Sequence, residues 1–191
     1  MAYLKRHIDA QLQEWKDSPR RKPLLIRGAR QVGKSTAVRE LGKSFRHFME
    51  INLERQPDLR QLFTENIDVK ATCDNLSGTL HIPIIPGETL LFIDEIQVCK
   101  EAIMALRYFK EDYPELHVIA AGSLLEFALE ELPSFGVGRI RSLYMYPFSF
   151  DEFLMAQGLE MSISYKSKAT SESPLPELAH KNLVEQLRSF Y

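Results

Sequence analysis

The residues with the clearest chemical pattern lie near the amino end of the chain, in LLIRGARQVGKSTAVREL at positions 24–41. This segment contains the spacing G-x-x-x-x-G-K-[ST], which is typical of loops that bind polyphosphates. Its fixed positions are Gly28, Gly33, Lys34 and Ser35. Glycines let the main chain approach the phosphates, and the successive N–H groups of such a loop form a concave anion site. The lysine adds positive charge near the outer phosphates, and the serine hydroxyl is a ligand for Mg²⁺.

The other residues of this loop are also candidates for contact with a nucleotide. They are Ala29, Arg30, Gln31, Val32 and Thr36. The side chains of Arg30 and Gln31 face either the nucleotide or a partner. The alternative interpretation of the motif is a turn rich in small residues with a solvent-facing lysine. The context disfavours that alternative, because a predicted strand precedes the motif and a predicted helix follows it.

A second pattern, LLFIDEIQ at positions 90–97, is an apolar strand that ends in two acids. Asp94, at the carboxyl end of that strand, is expected to hold Mg²⁺ opposite Ser35. Glu95 is then placed to polarise an attacking water. The alternative is that the acids cap the next helix, which explains either acid alone but not the pair. An adjacent glutamate, together with the absence of an Asn-Lys-x-Asp signature, favours ATP over GTP.

Two further candidates are less specific. Ser123 ends the fourth predicted strand and is expected to sense the γ-phosphate or to position water; capping of the following helix is the alternative. Arg139 follows the glycine loop at 135–138 and is expected to open the fifth strand. It is a candidate arginine finger, acting within its own chain or on a neighbouring subunit, and a surface ion pair is the alternative. Gln97 is expected either to position water or to make a hydrogen bond where the next helix begins.

Apolar runs and helical patterns alternate along the chain and predict how these residues are positioned. The predicted strands are 24–26, 48–53, 89–93, 117–121 and 139–146. The predicted helices are 2–16, 33–41, 58–63, 68–80, 100–112, 124–132 and 149–156. Strands that alternate with helices imply right-handed βαβ units, so we expect an α/β fold with a parallel sheet covered by helices on both faces.

The composition changes near the carboxyl end, which suggests a division of the chain. We expect residues 1–156 to form one nucleotide-binding domain that begins with the helix 2–16. The serine-rich stretch 157–176 reads as a linker or mobile loop. Residues 177–191 are expected to form a helix that begins a further, truncated region.

The overall composition limits the classes of partner. The formal net charge of −2 gives no global attraction to nucleic acid or to an anionic membrane, and the basic runs are short. The two cysteines form no CxxC pair, the histidines lack zinc-ligand spacing, and no apolar run is long enough to span a membrane. We therefore expect a cytoplasmic protein without membrane or nucleic-acid binding through this segment.

Four segments together resemble one family. GARQVGKST, LLFIDEIQ, AAGSLLEF and the G-x-G-R segment before YPFSFDEF occur in the order seen in predicted AAA-type ATPases of bacteria and archaea that carry a nuclease-like C-terminal domain of unknown function. The resemblance covers residues 3–154. Members of that family are about twice as long, so we expect residues 1–191 to lack their C-terminal domain.

The resemblance implies an AAA-like P-loop NTPase core with five mainly parallel strands in the order five-one-four-three-two. It implies ATP and Mg²⁺ as ligands. The matching functional positions are Gly33, Lys34, Ser35, Asp94 and Glu95, with Ser123 at the first sensor position and Arg139 in the glycine-arginine motif. The expected function is ATP hydrolysis coupled to movement of an appended domain or partner, in a chain that forms homo-oligomers or binds another protein. A nucleotide-dependent switch with little turnover is the alternative, and a DNA-processing motor ranks last.

Overall fold

The apolar runs of the sequence form five β-strands in the computed structural model, which describes residues 3–63, 67–123, 125 and 138–191. The strands are β1 (Leu24–Arg27), β2 (His47–Asn52), β3 (Thr89–Asp94), β4 (His117–Ala121) and β5 (Arg141–Tyr144). The first four agree with the predicted strands to within one residue at each end.

Helices connect these strands. They are α1 (His7–Asp17), α2 (Lys34–Gly42), α3 (Val69–Leu80) and α4 (Lys100–Asp112), with short 3₁₀ helices at Pro57–Leu62 and Ile96–Val98. The first helix begins at His7 and not at residue 2 as expected. The predicted helix at 124–132 and the glycine loop at 135–138 lie outside the described residues, apart from Leu125 and Gly138.

The sheet is parallel at every pairing of its strands, and the strand order is β5-β1-β4-β3-β2. Both the α/β fold class and the expected strand order are therefore confirmed. β1 lies between β4 and β5, although both of these strands come much later in the sequence. β1 is thus hydrogen-bonded to a neighbouring strand on each side. The loop that follows it begins at the carboxyl end of this inner strand.

Helices cover both faces of the sheet, as β3 demonstrates. Every residue of β3 is buried, and its side chains alternate between two hydrophobic clusters. Leu91 and Ile93 pack in the cluster that contains residues of α3 and α4, whereas Leu90 and Phe92 pack in the one that contains residues of α1 and α2. Alternation on two buried faces explains why this strand reads as an uninterrupted apolar run.

β5 is shorter than the predicted 139–146. Its pairing with β1 begins at Arg141 opposite Leu24 and ends at Tyr144 opposite Arg27. Because β1 has only these four residues to offer, the ladder ends with them. Arg139 therefore precedes β5 and does not open it.

Two compact units divide the chain: a larger one at Ile8–Tyr146 and a smaller one that combines the residues up to His7 with Pro147–Tyr191. The smaller unit contains α5 (Phe150–Ala156), α6 (Glu160–Lys168) and α7 (Glu177–Phe190).

Within the smaller unit, Ser149 and Glu152 form the expected capping box at the start of α5. Glu152 also accepts a hydrogen bond from the backbone N–H of His7 at 2.8 Å and pairs with Arg6 at 2.9 Å. The expectation of an irregular linker at 157–176 is wrong for the residues of α6. The larger apolar residues of that helix, Met161, Ile163 and Tyr165, are two positions apart, so no apolar stripe reveals its helical period.

Both cysteines are buried and free of disulfides, and burial raises the pKa of Cys73 to about 12. They act as small apolar side chains. Among the described residues, no helix combines the length and apolar character needed to cross a membrane.

Candidate nucleotide-binding site

The glycine-lysine-serine motif forms the loop between β1 and α2. Gly28 and Gly33 have φ angles of 143° and 100°, and Gln31 has φ 63°. Backbone angles of this sign favour glycine and turn the chain tightly. Because the loop leads directly into α2 at Lys34, its N–H groups and the amino end of the helix lie together. That combination is a general anion-binding arrangement.

Lys34 is buried within this loop, with only 8% of its surface exposed. Its Nζ donates hydrogen bonds to the carbonyl oxygens of Gly28 and Ala29, each at 2.8 Å. Burial lowers the pKa of Lys34, while the negative charges of Asp94 and Glu95 oppose that shift. The two carbonyls therefore hold a positive charge at the base of the loop.

Ser35 and Asp94 meet across the gap between α2 and β3. The Ser35 hydroxyl donates to Asp94 Oδ2 at 2.8 Å, and the amide of Asn52 donates to the same oxygen at 3.4 Å. The backbone N–H of Glu95 donates to Asp94 Oδ1 at 3.1 Å. Burial raises the pKa of Asp94, and the bonds from Ser35 and Glu95 oppose that shift. A buried carboxylate beside a hydroxyl is thus available to a cation.

A cleft of about 460 Å³ opens beside these groups. Its lining includes most of the predicted site residues: Arg30, Gln31, Gly33, Lys34, Ser35, Thr36, Asp94 and Glu95. Gly28 and Ala29 do not line the cleft, but their carbonyl oxygens accept hydrogen bonds from Lys34, which does. Val32 does not line the cleft; its side chain packs in the core with α1 and α2.

The oxygen donors at this cleft fit Mg²⁺ better than a metal that needs a complete protein cage. Mg²⁺ is usually held by one or two protein oxygens and completes its shell with water and phosphate. Ser35 and Asp94 supply such a pair of oxygens. In the part of the chain that the structure describes, no group of three or more His, Cys, Asp or Glu side chains is placed to hold a metal ion.

Ser123 is connected to the loop through Arg30. It is buried at the end of β4, and its Oγ lies 3.4 Å from Arg30 Nε, which donates to it. The structure thus brings Ser123 next to a residue that lines the cleft. Its predicted role as a helix cap involves residues outside the described part of the chain.

Arg139 lies away from the cleft of its own chain. Residue 141 is opposite Leu24, the first residue of β1, whereas the phosphate-binding loop follows Arg27, the last residue of that strand. Arg139 is therefore near the amino edge of the sheet, and its guanidinium pairs with Glu111 in the last turn of α4. This placement separates Arg139 from the cleft of its own chain and agrees with the alternative of a surface ion pair; action on a neighbouring subunit stays a prediction.

Four residues of the cleft were not identified from the sequence: Arg39, Asn52, Glu54 and Arg55. Asn52 ends β2 and lies opposite Asp94 in the strand register. The only sequence signal for Asn52 is its polar side chain, next to the last residue of the predicted strand FMEINL. Arg39 binds Glu50 through two hydrogen bonds, at 2.8 and 2.6 Å, which raise its pKa.

Comparison with known proteins gives a match to one family and none to a curated protein. The search of curated proteins found nothing that matches this chain. The family model that matches is described as an AAA domain, and it covers residues 20–154, which is well over half of the chain. This range includes the loop, Asp94, Glu95, Ser123 and all five strands. The chain therefore belongs to the AAA domain family.

Proposed function

We propose that this protein binds ATP with Mg²⁺ and hydrolyses it. The observation that carries the proposal is the 2.8 Å contact between Ser35 Oγ and Asp94 Oδ2, next to the buried ammonium group of Lys34. These groups come from a helix and a strand that are far apart in sequence, and they converge at one cleft. Membership of the AAA domain family supports nucleotide binding at this place.

Each group at the cleft has a defined part in the proposed reaction. The loop N–H groups and Lys34 bind the outer phosphates and stabilise the charge that develops on them. Ser35 and Asp94 would hold Mg²⁺, which when bound neutralises charge on the phosphate oxygens. Glu95, which lines the cleft, polarises water for in-line attack and accepts its proton. The products are ADP and inorganic phosphate.

Replacement of Glu95 tests the hydrolytic step. We expect Glu95→Gln to lower kcat for phosphate release by about 100-fold or more, since general-base catalysis contributes on that scale. ATP affinity should persist because the phosphate-binding loop is unchanged. Glu54→Gln is a matched control, because Glu54 lines the same cleft. Equal phosphate release by wild type and Glu95→Gln would remove Glu95 from the mechanism.

Replacement of Lys34 tests the binding loop itself. We expect Lys34→Ala to abolish measurable ATP binding in isothermal titration with Mg²⁺, because the loop loses its only lysine. Lys43→Ala is the control, since Lys43 lies at the other end of α2 and pairs with Glu40. Wild-type affinity in Lys34→Ala would defeat the assignment of the loop. Titrations of ATP and ADP without Mg²⁺ should show weaker ATP binding if Ser35 and Asp94 hold the ion.

Coupling of hydrolysis to movement of an appended domain or a partner is part of this proposal. The contacts of Lys34 support it, because phosphate oxygens must compete with the carbonyls of Gly28 and Ala29 for the same ammonium group. Nucleotide binding would thus rearrange the loop that joins β1 to α2. Hydrogen exchange measured with ATP and with ADP should differ beyond the loop. Identical exchange patterns outside the cleft would argue against coupling.

A nucleotide-dependent switch is the second candidate, and the same competition for Lys34 favours it. Such a switch would bind ATP, rearrange its loop and engage a partner with negligible turnover. The two functions differ in one measurement. A steady-state rate that disappears in Glu95→Gln supports the ATPase, whereas tight ATP binding without that rate supports the switch.

A further inference from the structure

Gln97 connects the proposed water-activating carboxylate to the end of β4. Its Nε2 donates a hydrogen bond of 2.6 Å to Glu95 Oε2. Gln97 follows Glu95 by two residues, inside the 3₁₀ helix Ile96–Val98 that begins after a left-handed residue, Glu95, with φ 51° and ψ 44°. The reversal of the chain at Glu95 folds the Gln97 amide back towards the carboxylate. We propose that Gln97 is a positioning residue for Glu95, an inference that rests on the proposed ATP hydrolysis.

The side-chain amide of Gln97 can be oriented in only one way at this contact. An ionised carboxylate accepts hydrogen bonds and cannot donate them, so the NH₂ group must face Glu95. The carbonyl oxygen then points the other way. That oxygen, Oε1, is buried and has no hydrogen-bond partner among the described residues. A buried acceptor without a partner is costly, so packing alone does not account for a glutamine here.

Gly122 provides the space for this amide. A Cβ at position 122 would lie 2.2 Å from Gln97 Oε1 and 3.3 Å from its Cδ, and only 3.1 Å from Leu125 Cγ. Gly122 does not have the positive φ that demands glycine. A methyl group at position 122 would therefore displace the Gln97 amide from its place, while the backbone conformation itself accepts other residues. The next residue, Ser123, accepts the hydrogen bond from Arg30 of the phosphate-binding loop.

The geometry assigns different sides of the Glu95 carboxylate to different tasks. Glu95 lines the cleft, whereas Gln97 is not among its lining residues. Gln97 holds Oε2 from outside the cleft, which leaves Oε1 for a water beside the γ-phosphate. A hydrogen bond to a charged group fixes the direction of the carboxylate without a contact to substrate. Gln97 thus acts through Glu95.

Loss of the hydrogen bond between Gln97 and Glu95 should lower the rate of ATP turnover and leave ATP binding unchanged. Gln97→Met keeps the length of the side chain and removes the donor. We expect its kcat for phosphate release to fall about 10-fold, with KM for ATP and the ATP affinity unchanged, because one hydrogen bond to a charged group is lost. Gly122→Ala should give a similar fall, since its methyl group displaces the amide. Gly78→Ala is the control, because a Cβ there meets nothing within 4 Å.

The double variant Gln97→Met, Gly122→Ala separates positioning from general destabilisation. If both changes act through one hydrogen bond, kcat of the double variant equals that of Gln97→Met. Multiplied losses, a raised KM or wild-type kcat in Gln97→Met would each overturn the inference. Its failure is distinguishable from failure of the proposed function. If only the inference about Gln97 fails, wild type still shows turnover that Glu95→Gln abolishes. If the proposed ATP hydrolysis fails, no such turnover exists.

Discussion

Gly28 lies close to the main chain of Met145, the residue that follows β5. A Cβ at this position would lie 2.1 Å from the carbonyl oxygen of Met145, and the φ angle of 143° is one that other residues avoid. The backbone N–H of Met145 in turn donates to Arg27 O at 2.8 Å. The glycine is thus required by the main chain at Met145 independently of any ligand.

Gly28→Ala should therefore destabilise the protein even without nucleotide. We expect the free energy of unfolding in urea to fall by about 2 kcal/mol, from the strained backbone and the contact with a main-chain oxygen. Gly78→Ala, in α3, should instead raise it by about 0.5 to 1 kcal/mol, since alanine is the better helix former and its methyl group meets open space. Equal stability of Gly28→Ala and wild type would show that the loop moves away from Met145 at little cost.

The placement of Lys34, Ser35 and Asp94 around one cleft could be predicted from sequence. The spacing of the loop fixes the first two, and any parallel sheet brings the carboxyl ends of its strands to one edge. The contact of Asn52 with Asp94 depends on the register of β2 against β3, which no local pattern reports. The contact of Gln97 with Gly122 likewise depends on how the turn after β3 packs on β4.

At the scale of elements, His117 joins β4 to α1. Its ring packs edge-on against Trp15 and Phe45, and its Nε2 lies 3.3 Å from the carbonyl oxygen of Lys16. Burial lowers the pKa of His117 to about 4, and the positive charge of Arg21 adds to this effect. The ring of His117 thus stays neutral in the folded protein down to about pH 4, whereas in the unfolded chain it takes up a proton near pH 6.5.

The buried histidine predicts a loss of stability in mild acid. Its contribution is complete above pH 6.5 and falls as the pH drops towards 4, because the unfolded state binds more protons in that window. The loss is at most roughly 3 kcal/mol. Urea unfolding at several pH values should show a shallower decline for His117→Gln than for wild type. His180→Gln, at an exposed position in α7, is the control and should follow wild type. Parallel curves for His117→Gln and wild type would contradict the prediction.

Helices and strands whose apolar residues recur at a regular spacing could be predicted well. α4 has the expected bounds, 100–112, because its buried residues recur at helical spacing. α6 resembles a linker in sequence because its larger apolar residues, Met161, Ile163 and Tyr165, recur at every second position and not at helical spacing. The ends of β5 were wrong because a strand ends where its partner ends, and the partner is distant in sequence.

At the scale of the whole molecule, the position of Arg139 bears on assembly. Within one chain the strand register separates it from the phosphate-binding loop, and it pairs with Glu111. An exposed arginine at the amino edge of the sheet remains available to a neighbouring copy. A catalytic role for Arg139 would therefore require a homo-oligomer, in which one subunit supplies it to the cleft of the next.

Mixing two inactive variants tests this requirement. If Arg139 acts on a neighbour, Arg139→Ala and Glu95→Gln should each have little activity alone. A one-to-one mixture should recover about a quarter of the wild-type rate, since random assembly leaves that share of all clefts both intact at Glu95 and beside an intact Arg139. Phosphate release and light scattering would measure activity and assembly.

Arg46→Ala is the matched control for this experiment, because Arg46 is an exposed arginine in a surface ion pair with Glu88. It should keep the wild-type rate. Wild-type activity in Arg139→Ala would exclude a catalytic part for this residue. Assembled mixtures that stay inactive would exclude its action on a neighbour.

The position of β1 between two late strands has a consequence for synthesis of the protein. Leu24 is made early, but its neighbours in the sheet are Ile119 and Arg141, so the strand has no lateral partner until most of the chain has left the ribosome. Such distant pairings carry a large loop-closure cost and slow folding. The strand that leads into the glycine-lysine-serine loop thus lacks one of its two neighbours until β5 has been made, and a nascent chain that ends before Tyr144 cannot complete the sheet.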